Sequence, residues 1–133
     1  DIKQGFIQAH LDEAVYMRLP PGCRDMSGKV VLLQRAVYGL RQACRKWSLW
    51  LTRVLLQEIG MEQSKADPCV FRKVVGGEVN IIVCTYVDDL AVVVKDIYTF
   101  DGFYAQLKEE FSVNEMGYLS WYLGCAFERD KMR

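Results

Sequence analysis

Apolar residues recur at helical spacing along one long segment of the chain. After Gly39, apolar side chains follow one another at intervals of 4, 3, 1, 3 and 1 residues: Ala43, Trp47, Trp50, Leu51, Val54 and Leu55. This spacing places them on one face of a helix, and Gly60 suits the position just beyond the helix end. A separate face is polar and partly basic: Arg41, Arg45, Ser48 and Thr52. The pattern predicts an amphipathic helix whose polar face is free to meet an anionic partner.

The densest strand signal lies in the second half of the chain. Residues 79–87 and 90–94 are almost all β-branched or aromatic, which favours strands covered on both faces. Gly76-Gly77 predicts a hairpin that joins these strands to residues 70–73. Weaker strand patterns occur in four further segments: residues 1–6, 30–33, 113–116 and 119–127.

A second helix is predicted by the 4, 3 and 4 spacing of Phe100, Tyr104, Leu107 and Phe111. The elements then follow in the order strand, helix, hairpin, helix, hairpin. This order favours an α+β fold in which helices pack on one face of a mainly antiparallel sheet. Such a fold class does not by itself define an activity.

Composition places these elements in one globular domain. The chain has 133 residues, of which 51% are hydrophobic, and this amount of apolar material fills a single core. Seventeen basic residues balance seventeen acidic ones, but they are unevenly distributed. Residues 24–53 carry a net charge of +6 and residues 96–130 a net charge of −5. The basic segment indicates either a nucleic-acid partner or solvated helix faces that differ in sign.

Other compositional features exclude several kinds of site. The five cysteines contain no CxxC pair and the chain has one histidine, His10, so we expect reduced cysteines and no zinc site. We interpret His10 as a loop or surface residue. Since no apolar run approaches eighteen residues, we expect no membrane partner.

Two adjacent aspartates, Asp88 and Asp89, interrupt the strongest strand signal. Ionised carboxylates in such a segment need solvent, a cationic partner or a metal ion. One interpretation is a solvent-facing hairpin turn, in which Asp is a favourable residue. The other is a Mg²⁺ or Mn²⁺ site, because carboxylate oxygens suit these ions and two such ions can clamp a phosphoryl group.

The segment Tyr86-Val87-Asp88-Asp89 resembles the metal-binding hairpin of reverse transcriptases. Four further segments, in the family's order, resemble the Ty1/copia retrotransposon branch: residues 1–6 with 15–22, residues 36–47, residues 64–71 and residues 121–124. The first of these resembles the first catalytic motif, and residues 36–47 resemble the motif that contacts template and nucleotide. Residues 121–124 resemble the primer-gripping hairpin. The resemblance implies a partial palm of an RNA-directed DNA polymerase spanning residues 1–133, with fingers upstream and a thumb downstream missing.

The resemblance also implies site residues. Asp1, Asp88 and Asp89 would be the catalytic carboxylates and would bind two Mg²⁺ or Mn²⁺ ions. These ions would support attack of a primer 3′-hydroxyl on the α-phosphate of a dNTP. Nucleotide-binding residues would be Phe6, Tyr38 and Gly39. Nucleic-acid-binding residues would be Arg41, Arg45, Trp121, Tyr122, Leu123 and Gly124.

Partners and location follow from the same resemblance. They are an RNA or DNA template with primer, the remainder of a Pol polyprotein, and a cytoplasmic virus-like particle. We expect the isolated chain to have little or no polymerase activity, because Asp1 stands at its very start and the fingers are absent. The alternatives are an inactive remnant, a repurposed nucleic-acid-binding module, or a small α+β interaction domain whose YVDD segment is only a turn.

Overall fold

The computed structural model describes residues 1–23 and 28–129 of the 133-residue chain. These residues form two compact units. One unit combines Asp1–Lys3 with the chain from Arg53 onward, and the other is Gln4–Thr52. Arg24, Asp25 and Asp130, which count in the two charged segments, lie outside the described residues. No helix in the described part of the chain is long and apolar enough to cross a membrane.

The Gln4–Thr52 unit contains a short helix, a two-stranded ribbon and most of the long helix. Helix α1 is Gly5–Gln8, and strands β1 (Tyr16–Arg18) and β2 (Val30–Leu32) pair in antiparallel fashion. Helix α2 is Ala43–Arg53 and buries Ala43, Trp47 and Leu51. The predicted apolar stripe is therefore confirmed. The helix begins after Gly39, because that residue adopts a φ of 93°, which a helix does not use.

A π-helical turn, Val54–Glu58, continues from α2. Val54 and Leu55 are fully buried within it, and the turn ends at Ile59. Gly60 follows with a φ of 73°. This left-handed geometry confirms Gly60 as the residue just beyond the helical segment.

A four-stranded antiparallel sheet dominates the other unit. Its strands are β3 (Glu62–Gln63), β4 (Val70–Val75), β5 (Glu78–Tyr86) and β6 (Asp89–Val94), hydrogen-bonded in that order. Gly76 and Gly77 both have positive φ, as a type I′ turn requires, so the predicted hairpin is confirmed. The sequence pattern did not predict β3 or β1, because two or three residues carry too little periodicity.

One face of this sheet forms the core. Phe71, Ile81 and Val83 are buried, and helix α3 (Ile97–Glu110), which buries Phe103 and Leu107, contacts β5 and β6. The opposite face is open, contrary to the expectation of strands covered on both faces. Its register partners Ile82 and Val93 are 37% and 62% exposed. The described fold is thus α+β and mainly antiparallel.

Three predicted terminal strands are wrong. Residues 1–6 form an isolated bridge between Ile2 and Val113, and Gln4 then turns the chain with a φ of 50°. Residues 113–116 form no strand beyond that bridge. Residues 119–127, predicted as one strand, contain a hairpin instead, with β7 (Trp121–Tyr122) paired to β8 (Cys125–Ala126).

Candidate carboxylate site

The two adjacent aspartates lie at the tip of the β5–β6 hairpin. Tyr86 pairs with Asp89, so Val87 and Asp88 are the two central turn residues. Val87 has a φ of 53°, as the first central residue of a type II′ turn does. A β-branched residue is strained in this conformation. The turn leaves Asp88 half-buried and Asp89 exposed at the start of β6.

Asp1 reaches the same hairpin through the peptide that follows it. The backbone N–H of Ile2 donates to the backbone carbonyl of Asp88, with an N···O distance of 2.8 Å. The Ile2 side chain is fully buried. Two predicted metal-binding residues, 87 positions apart in the sequence, are therefore connected through one backbone hydrogen bond.

A cleft of about 440 Å³ opens beside this hairpin. Its lining includes Asp1, Asp89, Trp121 and Tyr122. Two of the predicted catalytic residues and two of the predicted primer-gripping residues thus line one cavity, whereas Asp88, Leu123 and Gly124 are not among its lining residues. Three acidic side chains line the cleft, Glu115 being the third, and no Lys, Arg or His is among its described lining residues. The cleft therefore favours cations.

Two groups near Asp89 have shifted pKa values. Partial burial lowers the pKa of the Asp1 α-amino group, while the charge of Asp89 opposes that shift. Burial raises the pKa of the Tyr122 hydroxyl, and Cys84, Asp89 and Cys69 add to this effect. Both groups thus lie within the electrostatic field of Asp89.

The β7–β8 hairpin holds Tyr122 against the main sheet. Its turn residues, Leu123 and Gly124, have φ values of 50° and 79°, the pattern of a type I′ turn. The Tyr122 hydroxyl donates to the backbone carbonyl of Cys84 in β5, with an O···O distance of 3.3 Å. The hairpin is thereby connected to the strand that leads into the carboxylate turn.

The remaining predicted residues belong to the Gln4–Thr52 unit. The rings of Phe6 and Tyr38 are in contact, with centroids 4.7 Å apart and planes tilted by 53°. Gly39 follows in a left-handed conformation with a φ of 93°. Arg41 and Arg45 are exposed, and no ion pair joins either of them to an acid within the described part of the chain.

Backbone strain was the feature that sequence reasoning missed. Three described residues other than glycine have positive φ: Gln4, Val87 and Leu123. Each lies inside a segment that resembles a reverse-transcriptase motif. Strained conformations of this kind are retained mainly at functional sites. A bulky residue at a turn position that normally takes Gly or Asn is the sequence signal that could have indicated it.

The donor chemistry fits magnesium. Asp1 and Asp89 offer carboxylate oxygens to one cleft, and Mg²⁺ is commonly held by one or two carboxylates together with substrate phosphates. Within residues 1–23 and 28–129, however, no three His, Cys, Asp or Glu side chains are grouped closely enough to hold a metal ion by themselves. The residues fit an ion that arrives with a phosphate ligand better than a preformed cage.

Comparison with known proteins agrees with the motif order. Residues 1–132 match the family model described as "Reverse transcriptase (RNA-dependent DNA polymerase)". The chain is 30% identical over 98% of its length to the "Retrovirus-related Pol polyprotein from transposon TNT 1-94" of Nicotiana tabacum. It is 34% identical over 97% of its length to the corresponding polyprotein from transposon RE2 of Arabidopsis thaliana.

A relative from yeast matches a smaller share of the chain than the two plant polyproteins do. The "Transposon Ty1-GR3 Gag-Pol polyprotein" of Saccharomyces cerevisiae is 29% identical over 84% of the chain. The chain spans 6% of this relative and 9% to 10% of the two plant polyproteins. No solved structure matches the chain. The matches to the family model and to these polyproteins establish that the chain belongs to the reverse transcriptase family, in its Ty1/copia branch.

Proposed function

We propose that this chain is the palm of a copia-type RNA-directed DNA polymerase and adds deoxynucleotides to a primer 3′-hydroxyl. The observation that carries the proposal is the shared cleft. Asp1, from one end of the chain, and Asp89, from the tip of the β5–β6 hairpin, line it together with Trp121 and Tyr122. Acidic residues that share a cavity with the predicted primer-gripping hairpin are what a primer-extending site requires.

Asp1, Asp88 and Asp89 would hold two Mg²⁺ or Mn²⁺ ions. When bound, such ions lower the cost of forming a primer alkoxide and offset the charge of the triphosphate. The chain's own part is to place the three carboxylates. Asp89 is held at a fixed position by its pairing with Tyr86, and Asp88 by the turn and by its backbone bond to Ile2.

The other site residues would position the substrates. Residues Trp121 to Gly124 would contact the primer end, with Trp121 and Tyr122 lining the cleft itself. The contact between the Phe6 and Tyr38 rings supports a rigid apolar surface for the nucleotide sugar, with Gly39 leaving room beside the base. Arg41 and Arg45 would bind phosphates of the template or primer.

The charge of the cleft adds a condition to this function. Asp1, Asp89 and Glu115 repel phosphates, and no Lys, Arg or His is among the cleft's described lining residues. A primer end therefore enters this cleft only where its negative charge is offset by cations. We infer that nucleic acid binds there in a manner that depends on divalent ions.

The remainder of the activity would come from a longer protein. Since the chain spans about a tenth of its plant relatives, we propose that it acts within a Pol polyprotein, on an RNA or DNA template, in a cytoplasmic virus-like particle. A nucleic-acid-binding remnant without catalysis is the second candidate. The lack of a three-residue metal cluster among the described residues favours it.

Manganese binding separates these two functions. Mn²⁺ would be followed by electron paramagnetic resonance with primer–template and a dNTP present, in the wild-type chain and in Asp88→Asn and Asp89→Asn. The matched control is Asp101→Asn, which removes an exposed carboxylate from helix α3 outside the cleft.

We expect the wild-type chain and the Asp101 variant to bind Mn²⁺ above the level that the nucleotide alone gives. Both site variants should fall to that level, because each loses a ligand charge. Equal binding in all four proteins, or none above the nucleotide level, would rule out the palm site. The second candidate, a nucleic-acid-binding remnant without catalysis, would then describe this chain better.

A further inference from the structure

We propose that Ile2 is a positioning residue that fixes Asp1 against the Asp88-Asp89 turn, with residues 112–114 as its support. The inference rests on the proposed function, because it explains how the metal-binding carboxylates are held. Ile2 itself carries no group that could bind a metal or a phosphate. Any effect of this side chain on the site must therefore act through the placement of its neighbours.

The support is a set of backbone hydrogen bonds on the side of Ile2 away from the turn. Ile2 forms an antiparallel bridge with Val113. The N–H of Lys3 donates to the carbonyl of Ser112 at 2.8 Å, and the N–H of Asn114 donates to the carbonyl of Asp1 at 2.8 Å. Together with the bond from Ile2 to Asp88, these bonds hold residues 1–3 between the carboxylate turn on one side and residues 112–114 on the other.

Helix α3 anchors this support. Leu107 is buried in its last turn, and the buried Phe111, which caps the helix end, directly precedes residues 112–114. The N–H of Phe111 donates to the carbonyl of Leu107. Ile2 lines the same cleft as Leu107 and Val113. The buried isoleucine thus packs where the α3 exit, the carboxylate turn and Asp1 meet.

Truncating such a side chain leaves a cavity into which neighbours partly relax. A productive site must be held to about 0.5 Å, so a small relaxation of Asp1 is enough to weaken metal binding. Supporting residues around metal ligands typically change metal affinity by about 10-fold to 100-fold when mutated. We expect Ile2→Ala to weaken Mn²⁺ binding by about tenfold, and Ile2→Val, which keeps most of the volume, to restore most of the affinity.

The experiment uses the same Mn²⁺ measurement with primer–template and a dNTP. The matched controls are Ile81→Ala and Ile81→Val, because Ile81 is also a buried isoleucine of this unit but lies in β5 and outside the cleft.

Each outcome identifies what fails. Binding that does not depend on Asp88 and Asp89 would overturn the proposed function and this inference with it. Binding that depends on both aspartates, but that Ile2→Ala and Ile81→Ala weaken equally, would overturn the positioning role alone. If Ile2→Ala does not fold, Ile2→Leu decides, because it keeps the volume of the side chain but changes its shape against the neighbouring residues. Affinity equal to that of the wild type and of Ile81→Leu would then contradict the inference.

Discussion

At the scale of single residues, the site combines strained backbone with charge that the local fold does not neutralise. Val87 and Leu123 occupy left-handed conformations at the tips of two hairpins that are connected through the Tyr122 hydroxyl. Neither residue gains stability from its conformation, since a side chain with a Cβ costs about 1–2 kcal/mol there. Strained conformations of this kind are retained mainly at functional sites. We therefore interpret the side chains of Val87 and Leu123 as having a function that Gly or Asn could not provide.

Leu123→Asn tests this interpretation. Asn tolerates a positive φ and Leu123 is 54% exposed, so the replacement should raise the free energy of unfolding by about 1 kcal/mol. Urea unfolding checks the change, and Leu119→Asn is the control, because Leu119 lies in the same segment with 44% exposure and no positive φ. If Leu123→Asn destabilises as much as the control does, the strain argument is wrong.

At the scale of elements, the sequence predicted what depends on near neighbours. The hairpin at Gly76-Gly77 and the buried stripe of α2 follow from turn chemistry and helical spacing, both of which act within a few residues. The bridge between Ile2 and Val113 could not be predicted in this way, because its partners are far apart in the chain and its bonds are made by backbone atoms. For the same reason, residues 113–116 looked like a strand but form a support for Asp1.

Helix α3 is the element on which that support depends. Asp96 caps its N-terminus, and its carboxylate accepts a hydrogen bond from the N–H of Thr99 at 2.8 Å. The bonds to Thr99 hold the pKa of Asp96 below its usual value. The ionised carboxylate is therefore favoured in the folded protein, and its contribution to stability is present above the usual Asp pKa.

We expect Asp96→Ala to lower the melting temperature at neutral pH, because helix α3 loses its cap. As the pH falls through the lowered pKa of Asp96, the wild-type chain loses the same contribution and the difference between the proteins should shrink. Thermal unfolding followed by circular dichroism across acidic and neutral pH measures this. Asp101→Ala, which removes an exposed acid from the interior of the helix, is the control and should not reproduce this loss. A difference independent of pH would contradict the cap's charge-dependent role.

At the scale of the whole molecule, opposite charges are divided between the parts of the chain. The acidic cleft belongs to the unit that contains Asp1 and the main sheet, whereas the exposed Arg41 and Arg45 belong to the Gln4–Thr52 unit. Two other cations of the basic segment already have partners: Lys46 pairs with Asp12, and Arg35 donates to the carbonyl of Gln8. Although the formal net charge of the chain is zero, Arg41 and Arg45 are thus exposed and available to a phosphate ligand.

Salt dependence measures how many phosphates this surface binds. Each cation that neutralises a phosphate of a duplex contributes about 0.9 to the slope of log affinity against log salt concentration. We therefore expect Arg41→Ala and Arg45→Ala each to make the slope for a primer–template duplex shallower by about 0.9, and the double variant by about twice that. Arg72→Ala is the control, because Arg72 is already paired with Glu62. Fluorescence anisotropy at several salt concentrations gives the slopes. An unchanged slope in the double variant would mean that Arg41 and Arg45 do not bind phosphates and that the basic segment is only a solvated face. A change confined to these two variants would assign the phosphate contacts to the first turn of α2 and to the turn that precedes it.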